Sequence, residues 1–271
     1  MGAAIETEGL TKLYGAHRGI EDVTFTVEPG EVFGFLGPNG AGKTTTIRTL
    51  LDLLQPSGGS ARIFGLDSGR DSVAIRARLG NLPGDFGYGR EATGREALRL
   101  LAKLRGMDGL GRAEQLAARF RADLDRPLGQ LSRGNRQKIG LVLAAFHEPE
   151  LLILDEPTSG LDPLMQEEFL ALVAEERERG CAVFISSHEL DEVERVCDRV
   201  GIVKAGRLIA VEQVAELLAK SRRRNLVEVE FAEPVELEDV RAMPGVVGAE
   251  FARATLEEVF LTYYGEEEEK A

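Results

Sequence analysis

The apolar positions divide the chain into stretches of different kinds. From Ile5 to Val27 short apolar and polar residues alternate, with Val23, Phe25 and Val27 at every second position. This period of two predicts an antiparallel strand pair ending at Pro29-Gly30, with Tyr14-Gly15 in the connecting loop. Val32-Phe33-Gly34-Phe35-Leu36 is an unbroken apolar run, the pattern of a buried strand. Ile47, Leu50, Leu51 and Leu54 then recur at helical spacing, so a helix is expected from Thr44 to Leu54. Pro56 to Ser60 reads as a turn, Ala61 to Gly65 as a short strand and Ser68 to Arg78 as a helix. Leu79 to Pro83 leads into a glycine-dense loop, Gly84 to Gly89.

Helical periodicity dominates from Thr93 to about Phe146, with breaks at 106–111 and at Pro127. Within it, Ser132 is placed to cap an apolar helix, Ile139 to Phe146. Leu151 to Leu154 is an aliphatic run suited to a strand buried on both faces of a parallel sheet, and Ala182 to Ser187 reads as a second buried strand. A turn at Ser159 to Pro163 and a helix to Arg179 lie between them. A helix from Leu190 to Cys197 and strands Arg199 to Lys204 and Arg207 to Val211 complete the core. These elements predict an α/β domain over residues 1–220, with a helical subdomain inserted at about 90–148. Beyond the basic run Ser221-Arg222-Arg223-Arg224-Asn225, residues 221–271 read as a small α+β appendage. It comprises an alternating strand (Leu226 to Phe231), an amphipathic helix (Thr255 to Tyr264) and an acidic tail (Glu266 to Glu269).

Composition narrows the function classes. The 271 residues are 43% hydrophobic and 29% charged, which suits a globular protein with a sizeable core. No apolar run approaches the roughly 20 residues of a membrane-spanning helix, and the acidic N-terminus is not a secretory signal. A formal charge of −13 argues against a general nucleic-acid surface, and no nucleic-acid partner is expected. Cys181 and Cys197 have no metal-ligand spacing and form no disulfide framework, so buried reduced thiols are expected. His17, His147 and His188 are too scattered for a metal cluster.

The chemistry centres on Gly37-Pro38-Asn39-Gly40-Ala41-Gly42-Lys43-Thr44-Thr45, which fits the phosphate-binding pattern G-x-x-x-x-G-K-[ST] between an expected strand and an expected helix. Glycines let successive N–H groups turn toward phosphate oxygens, and the helix N-terminus favours anions. Lys43 would reach the β- and γ-phosphates, and the Thr44 hydroxyl would ligate Mg²⁺. Asp155 and Glu156 sit at the carboxyl end of an aliphatic strand, where open α/β sheets bind ligands. Asp155 can hold Mg²⁺, and Glu156 can accept a proton from an attacking water. His188 ends a second such strand; a structural and a ligand-edge role are equally open for it locally. Tyr14 is equally divided between stacking on a base and ordinary packing. Ser132 marks a second helix N-terminus and thus a second possible anion site.

With these segments laid out, the chain resembles the ATP-binding subunit of an ABC transporter. Gly37 to Thr45 matches the Walker A motif, Leu131 to Asn135 the signature motif, and Leu151 to Glu156 the Walker B strand with its catalytic glutamate. Ser159 to Asp162 matches the D-loop, His188 the switch histidine and Tyr14 the aromatic A-loop. The resemblance implies a P-loop NTPase mixed sheet with an N-terminal antiparallel β subdomain, and ATP with Mg²⁺ as ligands. It also implies a head-to-tail dimer in which Ser132 and Gly134 of one subunit contact the γ-phosphate held by the other, with Asp162 near that junction. A separately encoded polytopic membrane subunit at the cytoplasmic face of the cell membrane would complete the machine. Two positions depart from the family pattern. Arg133 and Asn135 replace the usual signature glycine and glutamine, and Gly84 stands where most members place a Mg²⁺-contacting glutamine, with Asp85 beside it as a possible substitute. Leu82-Pro83-Gly84 and the ending Ala254 to Phe260 are similar to the ABC-2 type drug and antibiotic exporters. Their appendages are usually longer, so a segment is expected to be missing between Gly245 and Ala254. A non-transport ABC ATPase lacks support in the absence of a coiled-coil insertion or tandem cassettes, and a P-loop GTPase lacks it for want of an Asn-Lys-x-Asp loop.

Overall fold

The computed structural model describes residues 2–15, 17–85, 89, 91–221 and 237–243. The chain divides into two compact units, Met1–Gln213 and Val214–Ala271. In the first unit, β1 (Ile5–Tyr14) and β2 (His17–Val27) pair antiparallel, and β4 (Gly58–Ile63) and β5 (Leu66–Asp67) extend the sheet in the order β2-β1-β4-β5. A second sheet contains β3 (Val32–Leu36), β6 (Leu79–Leu82), β7 (Leu151–Asp155), β8 (Ala182–Ser187), β9 (Arg199–Lys204) and β10 (Arg207–Gln213). Its order is β10-β9-β3-β8-β7-β6; only the β9–β10 pair is antiparallel. The expected α/β mixed sheet with an N-terminal antiparallel β portion is therefore present. All residues of β3, β7 and β8 are buried, as their unbroken apolar runs require.

Aromatic packing joins the two sheets. Phe25 of β2 stacks on Phe33 of β3 and Phe184 of β8, with ring centroids 5.4 and 5.7 Å apart. Such offset pairs each contribute about 0.5–1.5 kcal/mol beyond area burial, and they set the antiparallel sheet firmly on the strands that carry the site. Cys181 and Cys197 are free and buried, as expected. Burial pushes the Cys181 thiol up to about 12 and the Cys197 thiol higher still, so neither is a nucleophile.

The helices are α1 (Lys43–Leu50), α2 (Ser72–Arg78), α3 (Gly94–Leu104), α4 (Gly111–Arg119), α5 (Arg133–Ala145), α6 (Pro163–Glu178) and α7 (Leu190–Val196). Helix α1 stops four residues before the expected Leu54. Asp52 turns left-handed at φ 57°, and the N–H groups of Leu53 and Leu54 both fold back onto the Arg48 carbonyl. The helix expected from Ser68 begins at Ser72 instead. The Asp67 carboxylate accepts from the N–H of Gly69 and Arg70, and Asp71 accepts from that of Asp67, so the backbone forms side-chain-closed turns first. Gly58 to Ser60, expected as a turn, belong to β4, and Tyr14, expected in a loop, is the last residue of β1.

In the helical subdomain, Thr93 and Glu96 form a reciprocal capping box at the start of α3. Helix α5 starts directly after Ser132, which caps it as expected, so that six residues precede the apolar stretch Ile139 to Phe146. In the second unit the described elements are α8 (Val214–Ser221) and α9 (Leu237–Arg241). The expected strand Leu226 to Phe231, helix Thr255 to Tyr264, acidic tail and missing segment near Gly245 lie outside the described residues. Among the described residues no helix is long and apolar enough to cross a membrane.

Candidate nucleotide site

The loop Gly37 to Gly42 leaves the carboxyl end of β3 and enters α1 through Gly42. There φ is 110°, a conformation that L side chains rarely adopt. A Cβ on Gly42 would also lie 2.8 Å from the Ile20 side chain, and one on Gly37 would lie 2.4 Å from the Val203 carbonyl oxygen. Gly37 is thus fixed by space, and Gly42 by space and torsion together. Pro38, Asn39 and Gly40 are exposed at the crest, while Ala41 is buried and its carbonyl accepts from Gly206 N–H at 2.9 Å. No side chain caps α1, which leaves the first-turn N–H groups of an eight-residue helix available to an anion. Thr45 follows in the first turn, and its carbonyl accepts from Thr49 Oγ1.

Lys43 is 5% exposed. Its Nζ donates to the carbonyls of Gly37 and Pro38 at 2.6 and 3.3 Å and pairs with Glu156 Oε1 at 3.1 Å. Thr44 Oγ1 donates to Asp155 Oδ2 at 2.8 Å, and Ser186 Oγ donates to the other oxygen of the same carboxylate. Glu156 takes φ 51°, and its N–H reaches Ser186 O and Oγ at 3.1 and 3.2 Å. Its second oxygen, Oε2, meets His188 Nδ1 at 2.5 Å. Lys43, Thr44, Asp155, Glu156 and His188 therefore form one connected cluster at the carboxyl ends of β3, β7 and β8. Parallel pairing sets this: Leu36 lies opposite Ser187, and Asp155 opposite Ser186.

Asp155 is 2% exposed, yet among the described residues its partners are hydroxyl groups and no cation lies within ion-pair distance. A buried carboxylate so placed is costly unless a positive charge joins it. Its oxygens and the Thr44 hydroxyl are the hard donors that suit Mg²⁺.

The other expected residues occupy two places. The Tyr14 ring, 46% exposed, covers Gly19, where a Cβ would lie 2.7 Å from Tyr14 Cε2. The Gly19 carbonyl in turn approaches Gly42, so an exposed aromatic face lies one residue removed from the glycine loop. Ser132, Gly134 and Asp162 gather where α5 meets the segment after β7. Ser132 Oγ caps α5 by accepting from Asn135 N–H at 3.2 Å, and Asp162 Oδ1 caps α6 by accepting from Met165 N–H at 3.0 Å. No acidic residue occupies the first turn of α5, while Arg133 and Arg136 do, a distribution that leaves its positive end uncompensated. A Cβ on Gly84 would come within 3.0 Å of Asp155 Oδ2, so this glycine lets the loop backbone close on the carboxylate. Asp85 is exposed and lines a cavity of about 260 Å³ with Gly84, Arg133, Arg136 and Gln137.

Two contributors were missed from sequence. Ser186 carries a faint signal, a polar residue breaking an aliphatic strand at its carboxyl end. Gln137, buried against Glu156 and Pro157, carries none, because its partners are backbone carbonyls.

Comparison with known proteins follows the same lines. The family model described as ABC transporter matches residues 20–159. The bacitracin transport ATP-binding protein BcrA of Bacillus licheniformis is 37% identical over 236 residues, covering 86% of this chain and 76% of that protein. The daunorubicin/doxorubicin resistance ATP-binding protein DrrA of Streptomyces peucetius is 37% identical, covering 79% of this chain and 66% of that protein. A solved structure described as the ATP binding subunit of an ABC transporter superposes with a TM-score of 0.76 at 29% identity, covering 96% of this chain and 99% of that one. With the glycine loop, the strand-end carboxylates and these relatives in agreement, the chain belongs to the ABC transporter family, as a subunit that binds and hydrolyses ATP.

Proposed function

We propose that this chain powers export of a hydrophobic drug or antibiotic through a separately encoded polytopic membrane subunit, to which it binds at the cytoplasmic face. The observation that carries the catalytic part is the contact cluster of Lys43, Thr44, Asp155, Glu156 and His188 at the strand ends. The exporter part rests on the relatives named for bacitracin transport and daunorubicin resistance.

In this reading the N–H groups of the loop Gly37 to Gly42 and of Lys43 to Thr45 cradle the ATP phosphates, and Tyr14 stacks on the base. Thr44 and Asp155 would hold Mg²⁺, which would neutralise phosphate charge when bound. Lys43 has two competing partners, the Glu156 carboxylate at 3.1 Å and an incoming γ-phosphate. As phosphate draws Lys43 away, the Glu156 carboxylate is released from that ion pair and can accept a hydrogen bond from water, as a base must. His188, already at 2.5 Å, keeps the Glu156 carboxylate oriented. Ser132 and Gly134 at the α5 N-terminus meet the γ-phosphate held by a second, head-to-tail copy, with Asp162 at the same junction. ATP then acts as a ligand shared by two copies, and hydrolysis loosens them.

The test is transport by membrane vesicles carrying the chain together with the membrane protein encoded beside it. ATP-dependent movement of daunorubicin or bacitracin, lost in Lys43→Ala, is expected. ATP hydrolysis without co-purification of any polytopic protein would refute the transport reading.

A further inference from the structure

One face of α5 runs along the segment that follows β7. Arg133 Nη2 donates to Ser159 Oγ at 2.7 Å, and a Cβ on Gly134 would lie 2.4 Å from the Gly160 carbonyl oxygen. Gln137 Nε2 donates to the carbonyls of Glu156 and Pro157 at 3.0 and 2.9 Å, and Lys138 Nζ reaches Asp162 at 3.5 Å. Positions 133, 134, 137 and 138 are one helical stripe, and each meets a residue between 156 and 162. The first turns of α5 and this segment are therefore in contact all along that stripe.

Among these contacts, that of Gln137 stands apart. Its side chain is 4% exposed, and both of its acceptors are carbonyls, which fixes which amide atom faces them. One acceptor belongs to Glu156 itself, whose φ of 51° a non-glycine residue keeps only when its surroundings hold it. The Glu156 N–H is tied to Ser186 on β8, and its C=O is tied to Gln137 on α5. The two peptide groups flanking the carboxylate are thus clamped from opposite sides, one by the strand core and one by the serine-capped helix.

We infer that Gln137 is a positioning residue, which fixes the backbone of Glu156 and transmits displacement of the α5 N-terminus to it. This rests on Glu156 as the base proposed above. Whatever anion the capped end of α5 meets, its pull on the helix reaches the Glu156 carbonyl through one side chain, with no need of an intervening loop.

The test compares the purified full-length parent, Gln137→Met, Gln137→Glu and Glu156→Gln in single-turnover ATP hydrolysis, ATP binding and thermal unfolding. Methionine keeps the size and removes the donor. Turnover of Gln137→Met should fall by about 10- to 100-fold, the order expected when a reacting group is misplaced by a fraction of an ångström or more. ATP affinity should be unchanged. Gln137→Glu places an ionised oxygen against two carbonyls, whereas its protonated form donates to one of them. Its turnover relative to the parent should therefore rise as pH falls from about 8 to about 6, while that of Gln137→Met stays level. Parent-like turnover of Gln137→Met, or loss of ATP affinity in step with turnover, would overturn the role. If Gln137→Met does not fold, a pH-independent ratio for Gln137→Glu overturns it equally. Parent-like hydrolysis by Glu156→Gln would instead remove the base assignment, which separates the two failures.

Discussion

Gly134→Ala adds one methyl group where the structure leaves no room. The Cβ would sit 2.4 Å from the Gly160 carbonyl oxygen, about 1 Å inside ordinary contact, so α5 or the segment 156–162 must withdraw by that amount. Gly160 holds φ 82° and lies at the start of the Asp162-capped helix α6, which limits how far its carbonyl can turn. Over-packing of this kind costs about 1–3 kcal/mol, or roughly 3–10 °C in melting temperature for a domain of this size. The larger effect falls on chemistry. A shift of about 1 Å passed through Gln137 to the Glu156 backbone should lower turnover about 100-fold. ATP affinity of the isolated chain should not change, because none of the glycine-loop contacts is touched. Gly111→Ala is the control: nothing lies within 4 Å of its added methyl, and its φ is ordinary. That variant should gain about 0.5 kcal/mol and keep parent turnover. Differential scanning fluorimetry with single-turnover hydrolysis reads both quantities. If Gly134→Ala melts and turns over like Gly111→Ala, the proposed coupling of α5 to the segment 156–162 is wrong.

Lys43→Ala removes a charge-assisted phosphate contact and should weaken ATP binding about 10- to 100-fold by calorimetry; unchanged affinity would count against the glycine-loop assignment. His147 supplies a pH prediction. Burial, reinforced by the nearby Arg105 charge, lowers its pKa from 6.5 to about 4. The unfolded chain therefore takes up a proton that the folded chain refuses. The resulting stability is complete above about pH 6.5 and declines as pH falls toward 4. The shift corresponds to about 3 kcal/mol, reduced to about 2 because the ring is partly exposed. His147→Phe should flatten this part of the urea-denaturation profile, and identical slopes in the two proteins would refute the assignment.

Much of the site was legible because its residues sit at the boundaries that apolar patterning marks. Lys43 and Thr44 open a helix after an apolar run, and Asp155, Glu156 and His188 close two others. Parallel pairing of neighbouring strands then brings such endings together without further information. What sequence left out depends on side chain to backbone contact across the fold. Gln137 is an unremarkable polar residue in a helical stretch until the Glu156 and Pro157 carbonyls are seen beside it. The start of α5 was marked by its Ser132 cap and not by apolar periodicity. Arg133 to Lys138 lack an apolar stripe because that face meets the 156–162 segment through polar and close backbone contacts. Helix α1 was overextended because Leu54 continued the periodicity past Asp52, whose left-handed turn ends the helix.

The central claim is that Mg·ATP is held jointly by two copies of this chain and released when Glu156 acts. Light scattering of Glu156→Gln during gel filtration, with and without Mg·ATP, tests it most directly. Nucleotide should shift the mass from 29.5 kDa to twice that value, while the parent returns to 29.5 kDa as it hydrolyses. A Glu156→Gln protein that binds ATP tightly yet stays at 29.5 kDa, or that turns ATP over at the parent rate, would contradict it.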